Sequence, residues 1–207
     1  SVRRSNVAVL MLDAVQGPGE ADKKLGSFIM EHDKGCVVAV NKWDLAAGTD
    51  EEEYREAVFR TMPFLSFCPV VFLSALTGLN MDGVIDAIDH TAMQTRASLP
   101  TGLLNRVLSD AQESVHPPSE GGRRLKIYYA VQTGVEPVRV RLYVNDPSLL
   151  TANYRSYLVR KIRDRFELMG APVVLDAKPR TRGMAGNPGM PQGTKRAVRT
   201  GSRKKNT

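Results

Sequence analysis

The sequence predicts an α/β protein in three parts: a doubly wound sheet domain (residues 1–97), a small α+β domain (residues 98–178) and a basic tail (residues 179–207). Three apolar runs without polar alternation, at residues 7–14, 37–40 and 69–76, are typical of buried parallel strands. Two later runs alternate apolar and polar residues, which is typical of half-buried antiparallel strands. The tail is rich in Gly, Pro, Lys and Arg.

The first domain alternates strands with helices, which favours βα units and a parallel sheet. Helical spacing predicts helices over residues 20–32 and 50–62, and another that Asn80 caps. We expect the strand at residues 7–14 to be buried on both faces. In an open α/β sheet, ligands bind at the carboxyl ends of the strands, so the polar residues that end these runs are candidate site residues.

The second domain is predicted to follow the order α-β-β-α-β. Residues 99–102 are expected to be a linker, and the helix after them has apolar residues at helical spacing. Residues 125–132 and 138–145 form the two alternating strands. A second helix, residues 152–169, is expected to bury Leu158, Ile162 and Met169, and Gly170 ends it before a strand at residues 173–175.

The second apolar run leads directly into Asn41-Lys42-Trp43-Asp44, which fits the Asn-Lys-x-Asp guanine-recognition motif of the GTPase superfamily. A carboxylate at Asp44 can accept the ring N–H and the exocyclic amine of guanine, and adenine lacks this pair of donors. The stem of Lys42 can lie over the base, and the amide of Asn41 can join neighbouring loops. The alternative, an ordinary polar turn, is disfavoured by the strand context.

The third run ends in Ser74-Ala75-Leu76, which resembles the Ser-Ala-x guanine motif of GTPases. In that motif a backbone N–H, here that of Ala75, reaches the guanine carbonyl oxygen. Ser-Ala alone is common, but its distance from the Asn41–Asp44 motif and its place after a strand strengthen the assignment.

The 207 residues contain no Gly-x-x-x-x-Gly-Lys-Ser/Thr phosphate loop and no Asp-x-x-Gly motif after a strand. We therefore expect no catalytic residue or Mg²⁺ ligand in this chain, with both supplied upstream. Ser1 is an unusual first residue, which fits a missing natural start. The alternative is a non-catalytic, RNA-binding scaffold that retains a GTPase-like fold.

Four further stretches make the resemblance specific: residues 104–108, His116-Pro117-Pro118, residues 124–130 and residues 144–147. Together with residues 41–45 they resemble the Der (EngA) family of double GTPases, in the second half of the second G domain and the C-terminal KH-like domain. The resemblance implies a partial, doubly wound P-loop GTPase domain followed by a KH-like domain. It also implies GTP/GDP binding with Mg²⁺, GTP hydrolysis, and a role in large-subunit assembly with ribosomal RNA, assembly intermediates and ribosomal proteins as partners.

The KH-like part lacks the Gly-x-x-Gly loop by which typical KH domains clamp a nucleic-acid backbone. Contacts to structured RNA remain open, and they would use one set of basic and aromatic side chains: Lys126, Tyr128, Arg139, Arg141 and Tyr143. The alternative is that this face packs on a neighbouring G domain.

Charge is strongly segregated along the chain. Residues 1–100 carry 9 basic and 14 acidic side chains, whereas residues 177–207 carry 9 basic and no acidic side chains. This predicts a disordered tail that binds a polyanion such as RNA, rather than one that only increases solubility. The tail candidates are Lys195, Arg196, Arg199, Arg203, Lys204 and Lys205.

The composition also bears on the compartment. No stretch is long and apolar enough to span a membrane, and no secretory signal precedes the first strand. Cys36 and Cys68 lack metal-ligand spacing and are expected to be buried thiols, with a disulfide as the less favoured alternative. We expect an intracellular protein with no membrane partner. Bacterial cytoplasm and a mitochondrial or plastid matrix both fit, and the basic tail favours an organelle.

Overall fold

A computed structural model describes residues 2–180, apart from the side chain of Arg3. In chain order the elements are β1 (Val7–Asp13), α1 (Glu20–Glu31), β2 (Gly35–Asn41), α2 (Glu51–Thr61), β3 (Val70–Phe72), α3 (Met81–Thr95), α4 (Thr101–Ser114), β4 (Ser119–Glu120), β5 (Arg123–Arg124), β6 (Ile127–Gly134), β7 (Val138–Val144), α5 (Ala152–Phe166) and β8 (Val173–Pro179). The predicted fold class and the order of its major elements are confirmed. Within residues 2–180, no helix combines the length and apolar character needed to cross a bilayer.

The first sheet is parallel throughout, with the strand order β1-β2-β3. Side chains from α1 and α2 pack on one of its faces. Helix α3 packs on the other face, where Val84 joins a small cluster with Ala39 and Leu73. Central strand β2 is buried on both faces, as predicted for a parallel sheet with helices on each side.

Strand β1 departs from the prediction that it is buried on both faces. Leu10 and Leu12 are buried, but Met11 is 53% exposed and Val9 is also exposed. Val9 and Met11 lie in register with Val37 and Ala39, on the face that α3 covers. Among the described residues β1 pairs on one side only, with β2, and α3 leaves this part of it partly open.

The segment after β3 also differs from the prediction. The strand ends at Phe72 rather than continuing to residue 76, and Ser74 pairs with Leu79 across a tight turn. Asn80 occupies the N-cap position of α3, but its side chain does not cap the helix. Its Nδ2 instead donates to the Phe72 carbonyl at 2.8 Å, so the side chain ties the turn back to the strand.

The second domain packs α4 and α5 on one face of the sheet β6-β7-β8. Strands β6 and β7 are antiparallel, as predicted, and β8 runs parallel to β7. Its core includes Leu104, Leu108, Val140, Leu142, Val144, Leu158, Ile162 and Leu175.

Three details of the second domain differ from the sequence prediction. Helix α4 begins at Thr101, inside the expected linker. The two-residue strands β4 and β5 form an extra hairpin. Helix α5 ends at Phe166, and Met169, predicted to be buried, is exposed, whereas its neighbour Leu168 is buried.

The two domains meet at Gly170. Its N–H donates to the Phe67 carbonyl at 2.7 Å, and its carbonyl accepts from the Cys36 N–H at 2.9 Å. The Arg163 guanidinium lies 3.5 Å from the centre of the Phe67 ring, and burial lowers the pKa of Arg163 to about 10. These contacts join α5 and the turn after it directly to the first sheet.

Two ion pairs and two thiols also lie near this junction. Asp33 pairs with Arg139 at 3.4 Å, and Glu136 pairs with Arg96. Cys36 and Cys68 are free and buried, as predicted. A hydrogen bond between the two thiols, together with burial, raises the pKa of the Cys68 thiol well above its ordinary value. Both cysteines are therefore buried members of the first domain's core.

Replacing Gly170 should destabilise the junction, because a Cβ there would lie 2.6 Å from Thr91 Oγ1 and 3.0 Å from the Cys36 carbonyl, at a φ of +71°. Gly122 is a matched control with a φ of +76° and no atom within 4 Å of its Cβ position. In both alanine variants the left-handed backbone should lower the free energy of unfolding by about 1 kcal/mol. In Gly170→Ala the clash should lower it by about 2 kcal/mol more. Equal midpoints in urea unfolding of the two variants would contradict this account of the junction.

Candidate functional site

The residues predicted to recognise guanine converge at one edge of the first sheet. Parallel pairing places Asp13, at the end of β1, in register with Asn41, at the end of β2. The turn after β3 reaches the same edge, because the Ala75 N–H donates to the Asn41 side chain at 2.9 Å. The carboxyl ends of three neighbouring strands therefore form the site, as expected for an open α/β sheet.

The side chain of Asn41 connects two loops. Its Oδ1 accepts hydrogen bonds from the backbone N–H of Lys42 at 2.8 Å and from that of Ala75 at 2.9 Å. The expectation that this amide joins neighbouring loops is confirmed. A side-chain oxygen with two backbone donors fixes the loops more firmly than a single bond could.

Lys42 has a left-handed backbone, with φ +64° and ψ +32°. A non-glycine residue in this conformation is strained by about 1 kcal/mol, and such strain is common at functional sites. Flanking bonds hold the conformation, since the N–H of Trp43 donates to the Leu73 carbonyl at 3.0 Å. The ammonium group of Lys42 then lies 2.6 Å from Oδ2 of Asp13.

Asp13 is a site residue that the sequence motifs did not identify. Its Oδ1 accepts from the N–H groups of Val15 and Gln16 at 2.9 and 3.2 Å, while Oδ2 binds Lys42. The hydrogen bond from Lys42 is the main cause that lowers the pKa of Asp13 below its ordinary value. One feature of the sequence could have predicted this site residue: Asp13 ends the apolar run of β1, just as Asn41 ends that of β2. Asp13 fixes the direction of the Lys42 side chain.

Asp44 lies in a single helical turn, Trp43–Leu45, and its side chain is exposed. In the part of the chain that the structure describes, its carboxylate has no hydrogen bond or ion pair. The turn is anchored because the Trp43 ring packs 4.3 Å from Phe72 and 5.5 Å from Tyr54, measured between ring centres. An exposed carboxylate on an anchored turn, without a protein partner, is suited to accept hydrogen bonds from a ligand.

Ser74 and Ala75 hold the third loop. Ser74 is 0% exposed, and its Oγ accepts from the Thr77 N–H at 3.2 Å, so this side chain shapes the turn. The Ala75 N–H, predicted to reach a guanine carbonyl, is already donated to Asn41. Among residues 2–180, the next N–H, that of Leu76, has no protein acceptor and is the open donor of this turn.

The RNA-binding candidates within residues 2–180 lie on the second domain. Arg139, Arg141 and Tyr143 alternate with buried residues on β7 and so share its outer face. Lys126 and Tyr128 lie at the start of β6, with the Lys126 ammonium 5.4 Å from the Tyr128 ring centre. The six tail candidates, Lys195, Arg196, Arg199, Arg203, Lys204 and Lys205, lie outside the described residues.

The donor and acceptor set of the first domain fits a guanine base. Asp44 offers an open acceptor, Leu76 an open N–H donor, and Lys42 a stem that the ion pair with Asp13 holds in place. Within residues 2–180, no group of three or more His, Cys, Asp or Glu side chains could hold a metal ion. The open acceptor and the open donor therefore suit the edge of a nucleotide base.

Two family models match the chain. Residues 1–94 match the elongation factor Tu GTP-binding domain. Residues 98–178 match the KH-domain-like, C-terminal domain of EngA bacterial GTPase enzymes.

Similar proteins were found among curated sequences and among solved structures. GTPase Der of Caldanaerobacter subterraneus is 37% identical over 182 residues, which is 87% of this chain and 42% of that protein. GTPase Der of Acetivibrio thermocellus is 38% identical over 176 residues, 84% of this chain and 40% of that protein. A crystal structure of Aquifex aeolicus Era bound to GDP.AlF4- aligns with a TM-score of 0.38 and 19% identity, over 86% of this chain and 66% of that one. The chain thus spans less than half the length of these curated relatives.

Removing the Asn41 side chain should release the loop of Ala75 from that of Lys42. Asn41→Ala should lower the free energy of unfolding by about 1–2 kcal/mol, because two backbone donors lose their acceptor. Asn41→Asp is the matched control, since a carboxylate oxygen can still accept both bonds. The measurements are urea unfolding and amide hydrogen exchange, and exchange at Ala75 should accelerate only in Asn41→Ala. Unchanged exchange in that variant would show that Asn41 does not hold the loop.

Proposed function

Because the chain belongs to the Der (EngA) family, as the counterpart of the C-terminal portion of its members, we propose that it recognises the guanine base of GTP and GDP. In this proposal the protein is a GTP hydrolase that acts in assembly of the large ribosomal subunit. Phosphate and Mg²⁺ ligands belong to the portion of family members that this chain does not span. This chain supplies base recognition and the RNA-facing domain.

The observation that carries the proposal is the open carboxylate of Asp44 beside the oriented side chain of Lys42. Guanine presents its ring N–H and exocyclic amine on one edge, and both can donate to the Asp44 carboxylate. Lys42, held by Asp13 at 2.6 Å, can cover one face of the base. A base without this pair of donors would leave the carboxylate desolvated and unpaired, which provides selectivity.

Ribosomal RNA and large-subunit assembly intermediates are the proposed partners, and ribosomal proteins can share the interface. Support comes from the KH-like domain, from its cationic and aromatic outer face, and from the segregated positive charge of residues 177–207. GTP loading would favour the domain arrangement that binds immature RNA, and hydrolysis would release it. The proposed location is inside the cell, in bacterial cytoplasm or in an organelle matrix.

The test of base recognition is Asp44→Asn, measured in the complete natural protein. GTP affinity should fall by about 100-fold, and affinity for xanthosine triphosphate should rise, because an amide can donate to the carbonyl that replaces the guanine amine. The control is Asp86→Asn, on the exposed side of α3. It also removes one negative charge, but at a position outside the site, and should leave both affinities unchanged. Unchanged preference for GTP over xanthosine triphosphate in Asp44→Asn would refute the assignment.

The same binding assay tests the alternative of an RNA-binding scaffold that retains the GTPase-like fold for shape alone and binds no nucleotide. Saturable GTP binding by the complete natural protein would exclude the scaffold, and absence of GTP binding would exclude the GTPase.

Truncation after Arg180 tests the proposed role of the tail and leaves β8 complete. The deleted residues carry seven basic side chains. RNA affinity should fall. In a plot of log affinity against log salt concentration, the slope should become shallower by roughly 0.7–0.9 for each phosphate that the tail no longer neutralises. The measurement is a salt titration with ribosomal RNA, using a tail of equal length with Gln at the basic positions as control. An unchanged slope in both variants would contradict the assignment.

A further inference from the structure

The outer face of the second sheet combines aromatic rings with cations. Helices α4 and α5 pack on the opposite face, against residues such as Val140 and Leu142. We name the outer surface the tyrosine–cation face, and it comprises Lys126, Tyr128, Tyr129, Arg141, Tyr143, Lys178 and Arg180.

Strand register brings the tyrosines together. Tyr129 lies opposite Tyr143, and the two rings stack with centres 4.4 Å apart and planes 16° from parallel. The register of β6 shifts between Ile127 and Tyr129, so a bulge places Tyr128 next to this pair. A bulge of this kind sets two residues of one strand against one residue of its partner. Three tyrosines therefore occupy a short stretch of the sheet.

Cations flank these rings. The Arg180 guanidinium lies 4.9 Å and the Lys126 ammonium 5.4 Å from the centre of the Tyr128 ring. Lys178 is opposite Tyr143 on the neighbouring strand β8. Tyr128 is 39% exposed, and the side chains of Lys126, Lys178 and Arg180 are also exposed. Tyr129 and Tyr143 are partly buried, so Tyr128 and the three cations form the most accessible part of the face.

The exposed part of the tyrosine–cation face ends near Arg141 and Arg139 of β7. Arg141 is opposite Asp176, yet its Nε is buried and has no hydrogen-bond partner among the residues that the structure describes. Arg139 pairs with Asp33 of the first domain, so that domain reaches the far end of β7. The tyrosines lie towards the opposite end of the strand, beyond this ion pair.

We propose that the tyrosine–cation face binds unpaired RNA, with bases stacked on the tyrosine rings and phosphates paired with the surrounding cations. The inference rests on the proposed function and gives it a class of target, namely single-stranded segments rather than duplexes. Stacking on aromatic side chains tolerates any base, and cations placed beside the rings follow the backbone. This mode needs no Gly-x-x-Gly loop, which the domain lacks.

RNA fits this surface better than an acidic protein does. An acidic peptide would pair with the lysines and arginines but would have no planar groups for three clustered tyrosines. A nucleic-acid strand supplies both a polyanion and flat rings at short intervals.

The test compares labelled oligoadenylate with inorganic polyphosphate, a polyanion without bases, by fluorescence anisotropy on the 207-residue chain. Tyr143→Leu and Tyr128→Leu should each weaken oligoadenylate binding by about tenfold while leaving polyphosphate binding unchanged. Phe28→Leu is the matched control, since Phe28 on α1 is also 39% exposed but lies in the first domain. Lys178→Gln should weaken binding of both polyanions.

Each outcome has a defined meaning. A loss of oligoadenylate binding in the tyrosine variants with unchanged circular dichroism supports the proposal. Tyr128 provides a second variant at an exposed bulge if Tyr143→Leu fails to fold. Unchanged oligoadenylate affinity in both variants overturns the stacking face, while RNA binding by the chain still stands. Absence of oligoadenylate binding by the unmodified chain overturns the face and the RNA part of the proposed function together, and leaves GTP recognition intact.

Discussion

The two hydrogen bonds accepted by Asn41 Oδ1 organise the first domain's functional edge. They connect the loop after β2 to the loop after β3 through the N–H groups of Lys42 and Ala75. With both loops fixed, Lys42 can adopt its left-handed backbone and reach Asp13. Asp44 is then presented on an anchored turn, with no partner for its carboxylate among residues 2–180. One amide oxygen therefore joins the two loops, and the Asp13–Lys42 ion pair and the packing of the Trp43 ring complete the candidate base site.

The junction extends this rigidity to the second domain. Cys36, at the start of the same strand that ends in Asn41, donates its N–H to the carbonyl of Gly170. Strand β2 thus contacts the base site at one end and the second domain at the other. One continuous, buried strand therefore joins the candidate base site to the domain junction.

The tyrosine–cation face lies in a domain that buries its apolar residues on one side of the sheet only. Strict alternation along β7 sends Val140 and Leu142 to the core and Arg141 and Tyr143 outward. The same alternation that makes the sheet stable therefore creates the outer surface. Its function follows from which polar and aromatic residues occupy those positions.

Sequence alone determined the fold class, the main elements and the motif residues Asn41, Lys42 and Asp44, because local hydrophobic period and residue chemistry carry that information. Tertiary structure decided what depends on contacts between distant residues. Asp13 joined the site only through parallel register, the Ala75 N–H proved to be committed to Asn41, and Asn80 bonded to Phe72 instead of capping a helix. The exposure of Met11 likewise became visible only from the packing of β1, which pairs with β2 alone among the described residues. Periodicity shows which face of an element is apolar, but only packing shows what covers it.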